Sequence, residues 1–205
     1  MSINTRMIFL DLETTGLFPT ENRITQIAAI KEGGQPETFV TYVNPGVEIP
    51  ENIVELIGIT NEMVENAPSE KEALQQLIDF MGDDYIIIAQ NAPFDLGFLY
   101  HALLRNGLKL IVPNFYCTRA MSAILFPNLS HKLVDITQLF DLGVERPHDA
   151  FYDADSTRLL FHKLFNISIL MGIDFKNKLI EHPDRPMLYV PENAKIIKQK
   201  YNPKK

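Results

Sequence analysis

Asp11 and Glu13 stand two residues apart in the stretch Ile8–Leu17, IFLDLETTGL, where an apolar run meets a Thr-Thr-Gly turn. On a strand, residues i and i+2 face the same side, so the two carboxylates aim at one point as the chain leaves the core. A hard divalent cation would turn their repulsion into binding. The same pair could equally be solvated or paired with a basic side chain, because Asp-x-Glu is a common tripeptide. A third carboxylate, Asp95 in NAPFDLGFL, falls in the first turn of a helix that follows a buried strand. An Asp there can simply complement the helix dipole, but open α/β sheets gather their chemistry at strand ends. The last group is His148 and Asp153 in HDAFYDA. Five residues apart within one helix they would diverge by about 140°. They converge only if His148 precedes the helix and Asp153 lies in its early turns, an arrangement that Pro147 and an Asp149 cap favour.

These residues need elements to hold them. Met7–Leu10 is an apolar strand running into Asp11, and Arg23–Gly34 and the segment ETFVTYVNPG frame a Gly-Gly turn as a hairpin. Ser69 caps a helical stripe of Ala73, Leu74, Leu77, Ile78 and Met81. DYIIIAQN is a strand buried on both faces, and the helix after it has Pro93 in its first turn and Gly107 beyond its last. NFYCTRAMSAIL passes from strand to helix, HKLVDITQLFDLG is helical, and a long helix capped by Asp149 follows. A hairpin followed by alternating helices and strands implies an α/β fold, a mixed sheet flanked by helices. The division expected is one domain over residues 1–166 and an irregular, basic C-terminal tail over 167–205.

The 205 residues suffice for one domain with a full core. A composition of 46% hydrophobic and 22% charged residues is that of a soluble globule. No apolar run reaches the ~20 residues a membrane helix needs, and MSINTRMIFL does not read as a secretory leader. The single cysteine, Cys117, excludes an internal disulfide framework and suits a reducing cytoplasm, with a core position expected for it. Net charge is −7, which argues against holding a polyanion by electrostatics alone. From Lys176 on there are eight Lys/Arg against three Asp/Glu, leaving 11 against 23 before it: an acidic body with a basic tail.

DLETTGL, NAPFDLGFL and HDAFYDA, in that order and at these spacings, resemble the three exonuclease motifs of the DEDDh (DnaQ-like) family, which includes the proofreading subunit of bacterial DNA polymerase III. GITNEMVENAP, Gly58 to Pro68, is similar to a family segment between the first two motifs. The resemblance spans roughly residues 6–165. It implies a ribonuclease-H-like fold in which Asp11, Glu13, Asp95 and Asp153 hold two divalent cations, Mg²⁺ or Mn²⁺, about 3.5–4 Å apart. It makes His148 the general base toward an attacking water. Thr14, Thr15 and Gly16 are then the backbone that approaches the terminal nucleotide, with Leu17 as an apolar surface for its base. The implied activity is 3′→5′ exonuclease action on single-stranded or frayed DNA ends, releasing nucleoside 5′-monophosphates, in proofreading or repair. The same chemistry on RNA is the nearest alternative, and a catalytically silent nucleic-acid-binding or scaffold module is a second. A polymerase is an implied partner and a membrane is not. Three positions depart from the family pattern: Gln90 and Ile57 stand where relatives often carry His, and Cys117-Thr118 replaces Asp-Thr. None of the three is an implied metal ligand.

Overall fold

The computed structural model describes residues 6–109, 111, 113–143, 149–181 and 187–198. Strand β1 (Arg6–Thr14) pairs antiparallel with β2 (Ile24–Glu32), and β2 with β3 (Glu37–Tyr42). Three helices follow, α1 (Glu51–Ile57), α2 (Asn61–Val64) and α3 (Glu70–Met81). Next come β4 (Tyr85–Ala89), α4 (Ala92–Arg105), β5 (Asn114–Cys117), α5 (Thr118–Leu125), α6 (Leu133–Leu139) and α7 (Ala150–Leu170). Both β4 and β5 run parallel to β1, giving the sheet order β3-β2-β1-β4-β5. This is the mixed sheet flanked by helices that the residue pattern implies.

Alternation along β1 divides the core. Ile8, Leu10 and Leu12 join Leu74, Leu77, Leu96, Leu99 and Leu103 of α3 and α4 on one face of the sheet. Phe9 joins Ile88 of β4 and Leu160, Phe161 and Leu164 of α7 on the other. Each fully buried Leu or Phe contributes roughly 1.5–3 kcal/mol, so a one-residue slip of β1 would exchange its two faces at a cost of several such terms. By the same alternation Asp11 and Glu13 belong to the α7 face. Strand β4 pairs with β1 only from Arg6 to Phe9. Beyond that point β1 projects past the end of β4, and the carboxylates sit at an open sheet end.

Helix starts bring the other groups to this end. Ser69 caps α3 in a capping box with Glu72. Helix α4 starts three residues after β4, with Pro93 in its first turn. Asp149 caps α7, its side chain accepting from the Phe151 amide at 3.1 Å.

From residue 167 on, the described residues 167–181 and 187–198 carry regular elements. Helix α7 crosses the anticipated boundary and ends at Leu170, and β6 (Lys178–Glu181) pairs in parallel with β7 (Lys195–Lys198). Leu179 is fully buried, and Asn177 closes on β5 through its backbone N–H to the Phe115 carbonyl and its Oδ1 to the Phe115 amide, both 2.8 Å. The exposed edge of β5 is thereby covered. Pairing between segments over sixty residues apart has no local sequence signal, which is why the tail reads as irregular. Among the described residues no helix is long and apolar enough to cross a membrane.

Candidate functional site

Carboxylate oxygens of Asp11, Glu13 and Asp153 lie within 4.8 Å of one another. Strand β1 supplies the first two from adjacent same-face positions, and the first turn of α7 supplies the third. Gln26, directly across the ladder from Glu13, accepts the Ala150 amide at 3.2 Å and so ties the start of α7 to the sheet beside the acidic pair. Asp95, 4% exposed in the first turn of α4, approaches from the other helix layer.

Electrostatics couple the four. Burial raises the Asp11 carboxyl well above its ordinary range, and the charges of Asp95, Asp153, Glu13 and Asp149 add to it. Glu13 is pushed up to about 8 by burial and then by Asp153, Asp95 and Asp149. Asp95 also reaches about 8, through burial, opposed by the backbone amides of Asp95 itself and Leu12 and reinforced by Asp153. Such a cluster of anions holds protons unless another cation replaces them. Converging hard oxygen donors of net negative charge fit a divalent ion of the magnesium or manganese kind.

The turn after β1 is knitted tightly. Thr14 Oγ1 donates to the Gly16 carbonyl at 2.6 Å, while Thr15 exchanges bonds with Arg23, N–H to carbonyl at 2.8 Å and Arg23 amide to Oγ1 at 3.0 Å. A Cβ on Gly16 would lie 2.7 Å from the Asn22 side chain, which accepts the Phe18 amide at 2.9 Å, so a larger residue there would displace that contact. Leu17 and Phe18 emerge 65% and 51% exposed. Beneath the turn, Glu70 of α3 accepts from Arg105 Nη2 at 2.6 Å, Arg105 Nε at 2.7 Å and Asn106 Nδ2 at 2.7 Å. Glu70 also accepts the Ile24 amide at 3.4 Å, and Arg105 Nη1 donates to the Pro19 carbonyl at 2.9 Å. Burial works to raise Glu70, but Arg105, Asn106 and the Ile24 amide outweigh it and hold its carboxyl below the usual range. One ion pair thus joins α3 and α4 to the turn.

The structure brings Asp11, Glu13 and Asp153 into one group and sets Asp95 beside it, with Thr14–Leu17 at its edge. His148 lies outside the described residues. Sequence reasoning missed Gln26, Glu70 and Arg105. A polar Gln within the apolar run ITQIAAI was a usable signal for the first; the Glu70–Arg105 pair has none, being 35 positions apart. Of the departures, Gln90 is engaged inside the fold, accepting from Thr118 Oγ1 and donating to the His131 carbonyl at 3.0 Å. Cys117 is buried, as a core position requires, and burial raises its thiol.

A mixed sheet with helices on both faces and acidic groups gathered where its central strand leaves the core defines a ribonuclease-H-like α/β protein. The chain belongs to the exonuclease family RNase_T, which matches residues 8–161. It is 38% identical over 158 residues to the PolC-type DNA polymerase III of Lactococcus lactis, covering 75% of this chain and 10% of that protein. It is 36% identical over 160 residues to the 3′-5′ exonuclease DinG of Bacillus subtilis, covering 76% of this chain and 17% of that protein. The chain therefore spans a small part of the length of these relatives. Its fold superposes on E. coli exonuclease I in complex with a dA16 oligonucleotide with a TM-score of 0.67 at 20% identity, over 81% of this chain and 43% of that one.

Proposed function

We propose that this chain is a metal-dependent 3′→5′ exonuclease that acts on single-stranded or frayed DNA ends and releases nucleoside 5′-monophosphates. The observation that carries the reading is the convergence of Asp11, Glu13 and Asp153 within 4.8 Å, with Glu13 and Asp95 raised to about 8. Asp11, Glu13, Asp153 and Asp95 would hold two divalent cations, Mg²⁺ or Mn²⁺. When bound, these lower the pKa of a water and stabilise the charge that develops on the departing 3′ oxygen. Cations held in place of the carboxyl protons would offset the charge with which this acidic end otherwise repels a phosphodiester. Thr14, Thr15 and Gly16 present backbone to the terminal nucleotide, and Leu17 offers an apolar face to its base. His148 accepts the proton of the attacking water. Its support is the motif and the neighbouring Asp149, whose charge is felt by both Asp11 and Glu13.

The oligonucleotide in the exonuclease I complex and the replication and exonuclease relatives favour DNA as the substrate and a polymerase as an associate. The lone buried thiol of Cys117 suits a reducing compartment such as the cytoplasm. The test is release of mononucleotides from 3′- and 5′-labelled DNA and RNA with Mg²⁺, Mn²⁺ or EDTA. Metal-dependent release from the 3′ end, faster on DNA, is expected. Faster release from RNA would assign an exoribonuclease, and no release from either would leave a binding module.

A further inference from the structure

Alternate residues of β2 from Gln26 onward face α7, and of these Ala28 and Ile30 belong to the apolar core there. Gln26 is buried in the same row, 5% exposed, although a carboxamide there carries a desolvation cost that Ala or Ile would not. Its neighbours show what it serves. Gln26 is the ladder partner of Glu13, and facing residues of an antiparallel pair hold their Cβ atoms about 4.5–5.5 Å apart. The register shifts immediately beyond, between Glu13 and Thr14, leaving Thr25 as the extra residue of a bulge. The Val43 amide pins that bulge by donating to the Thr25 carbonyl at 2.8 Å. Gln26 Oε1 then accepts the amide of Ala150, the first residue of α7, at 3.2 Å. Asp153 follows three residues later on the same face, its amide donating to the Asp149 carbonyl at 3.0 Å to close the first turn.

Helix α7 has other anchors. Asp149 caps it locally, and farther along Glu32 accepts from Arg158 Nη1 at 3.0 Å and lies 2.8 Å from His162 Nε2. Gln26 differs from these in joining the strand position opposite Glu13 to the helical turn that carries Asp153. We propose that Gln26 is a positioning residue for the metal centre: by holding the first turn of α7 against β2 it sets how the Asp153 and Glu13 oxygens converge, and so the affinity for divalent cations. The inference rests on the metal-dependent reading above. A neutral carboxamide makes this tie without setting another like charge opposite Glu13. Groups one step out from metal ligands commonly alter metal affinity by roughly 10–100-fold when replaced.

The experiment measures Mn²⁺ binding to the full chain by isothermal titration calorimetry at neutral pH, without substrate, beside thermal melts. Gln26→Leu conserves bulk and removes the acceptor, while Gln26→Asn keeps the amide but is one methylene too short to reach Ala150. Each is expected to weaken Mn²⁺ binding about tenfold. Gln26→Glu retains an acceptor for the Ala150 amide and is expected to bind Mn²⁺ no more weakly than the wild type. Glu32→Ala loosens α7 at its other end, lowering the Tm while leaving the Mn²⁺ affinity at the wild-type level. Wild-type affinity in either folded variant, Gln26→Leu or Gln26→Asn, overturns the proposal. So does an equal weakening in Glu32→Ala, which would make any loosening of α7 sufficient, or a weakening in Gln26→Glu as large as that in Gln26→Leu. A wild-type chain that binds Mn²⁺ but releases no nucleotide overturns the exonuclease reading and leaves the positioning role standing; one that binds no Mn²⁺ overturns both.

Discussion

Asp11 and Glu13 do opposite things to stability and to function. Burial and mutual repulsion raise both, so in the metal-free protein their ionisation works against the fold. At Glu13 the native state then binds more protons than the unfolded chain between the ordinary carboxylate pKa and about 8, and Asp11 acts in the same direction, so stability is greatest below that window and falls as pH rises through it. Thermal melts in EDTA are expected to give a lower Tm at pH 8 than at pH 5.5, with Mg²⁺ restoring more at pH 8. Glu13→Gln removes one of the repelling charges while conserving shape. It is expected to raise the EDTA Tm at pH 8 while lowering nuclease turnover on the order of a hundredfold or more, the scale of losing one group that stabilises developing charge. A variant that lost stability together with activity would make Glu13 a structural residue instead of a ligand.

Among elements, the turn between β1 and β2 is held from below by the junction of α3 and α4. Arg105 is the shared member, bonding Glu70 twice and the Pro19 carbonyl once. Arg105→Ala leaves the Glu70 carboxylate buried without its main partner, a change that costs about 3 kcal/mol in comparable buried pairs. Urea unfolding at pH 7 reads that loss. Because Glu70 is held below the usual carboxylate range, the pair's contribution is present above the unfolded pKa and disappears as acid protonates the group, so the gap between wild type and variant narrows toward pH 3. The same substitution frees the turn that carries Leu17, and KM on oligonucleotides should rise as well. Helix α7 depends on a smaller contact, Gln26 to the Ala150 amide, which sets where Asp153 begins its turn beside Glu13.

Across the whole molecule, residues 187–198 close the fold. Met187, Tyr189 and Ala194 pack against the core cluster of the α3–α4 face, and β7 pairs with β6. Removing residues 187–205 uncovers Leu179 and the face of α4 at Gly97. The expected result is a Tm lowered by about 5 °C or more, since each kcal/mol shifts a protein of this size by ~2–4 °C. A truncated chain melting at the wild-type temperature would make the segment a dispensable appendage. The molecule is therefore an acidic body whose two helix layers meet at one end of the sheet.

Much of this was legible in the residues alone. Strict alternation in IFLDLET determined that Asp11 and Glu13 share a side; capping residues located the starts of α3 and α7; and the motif order identified the family. Those signals are local, carried by neighbours in the chain within a turn or a strand. What only the tertiary structure decided is long-range: that β1 overruns β4 and opens the sheet end, that Gln26 and Arg105 anchor the helices and the turn, and that Tyr189 lies on Gly97. Contacts between residues dozens of positions apart depend on how the layers pack, and no spacing along the chain encodes that packing by itself.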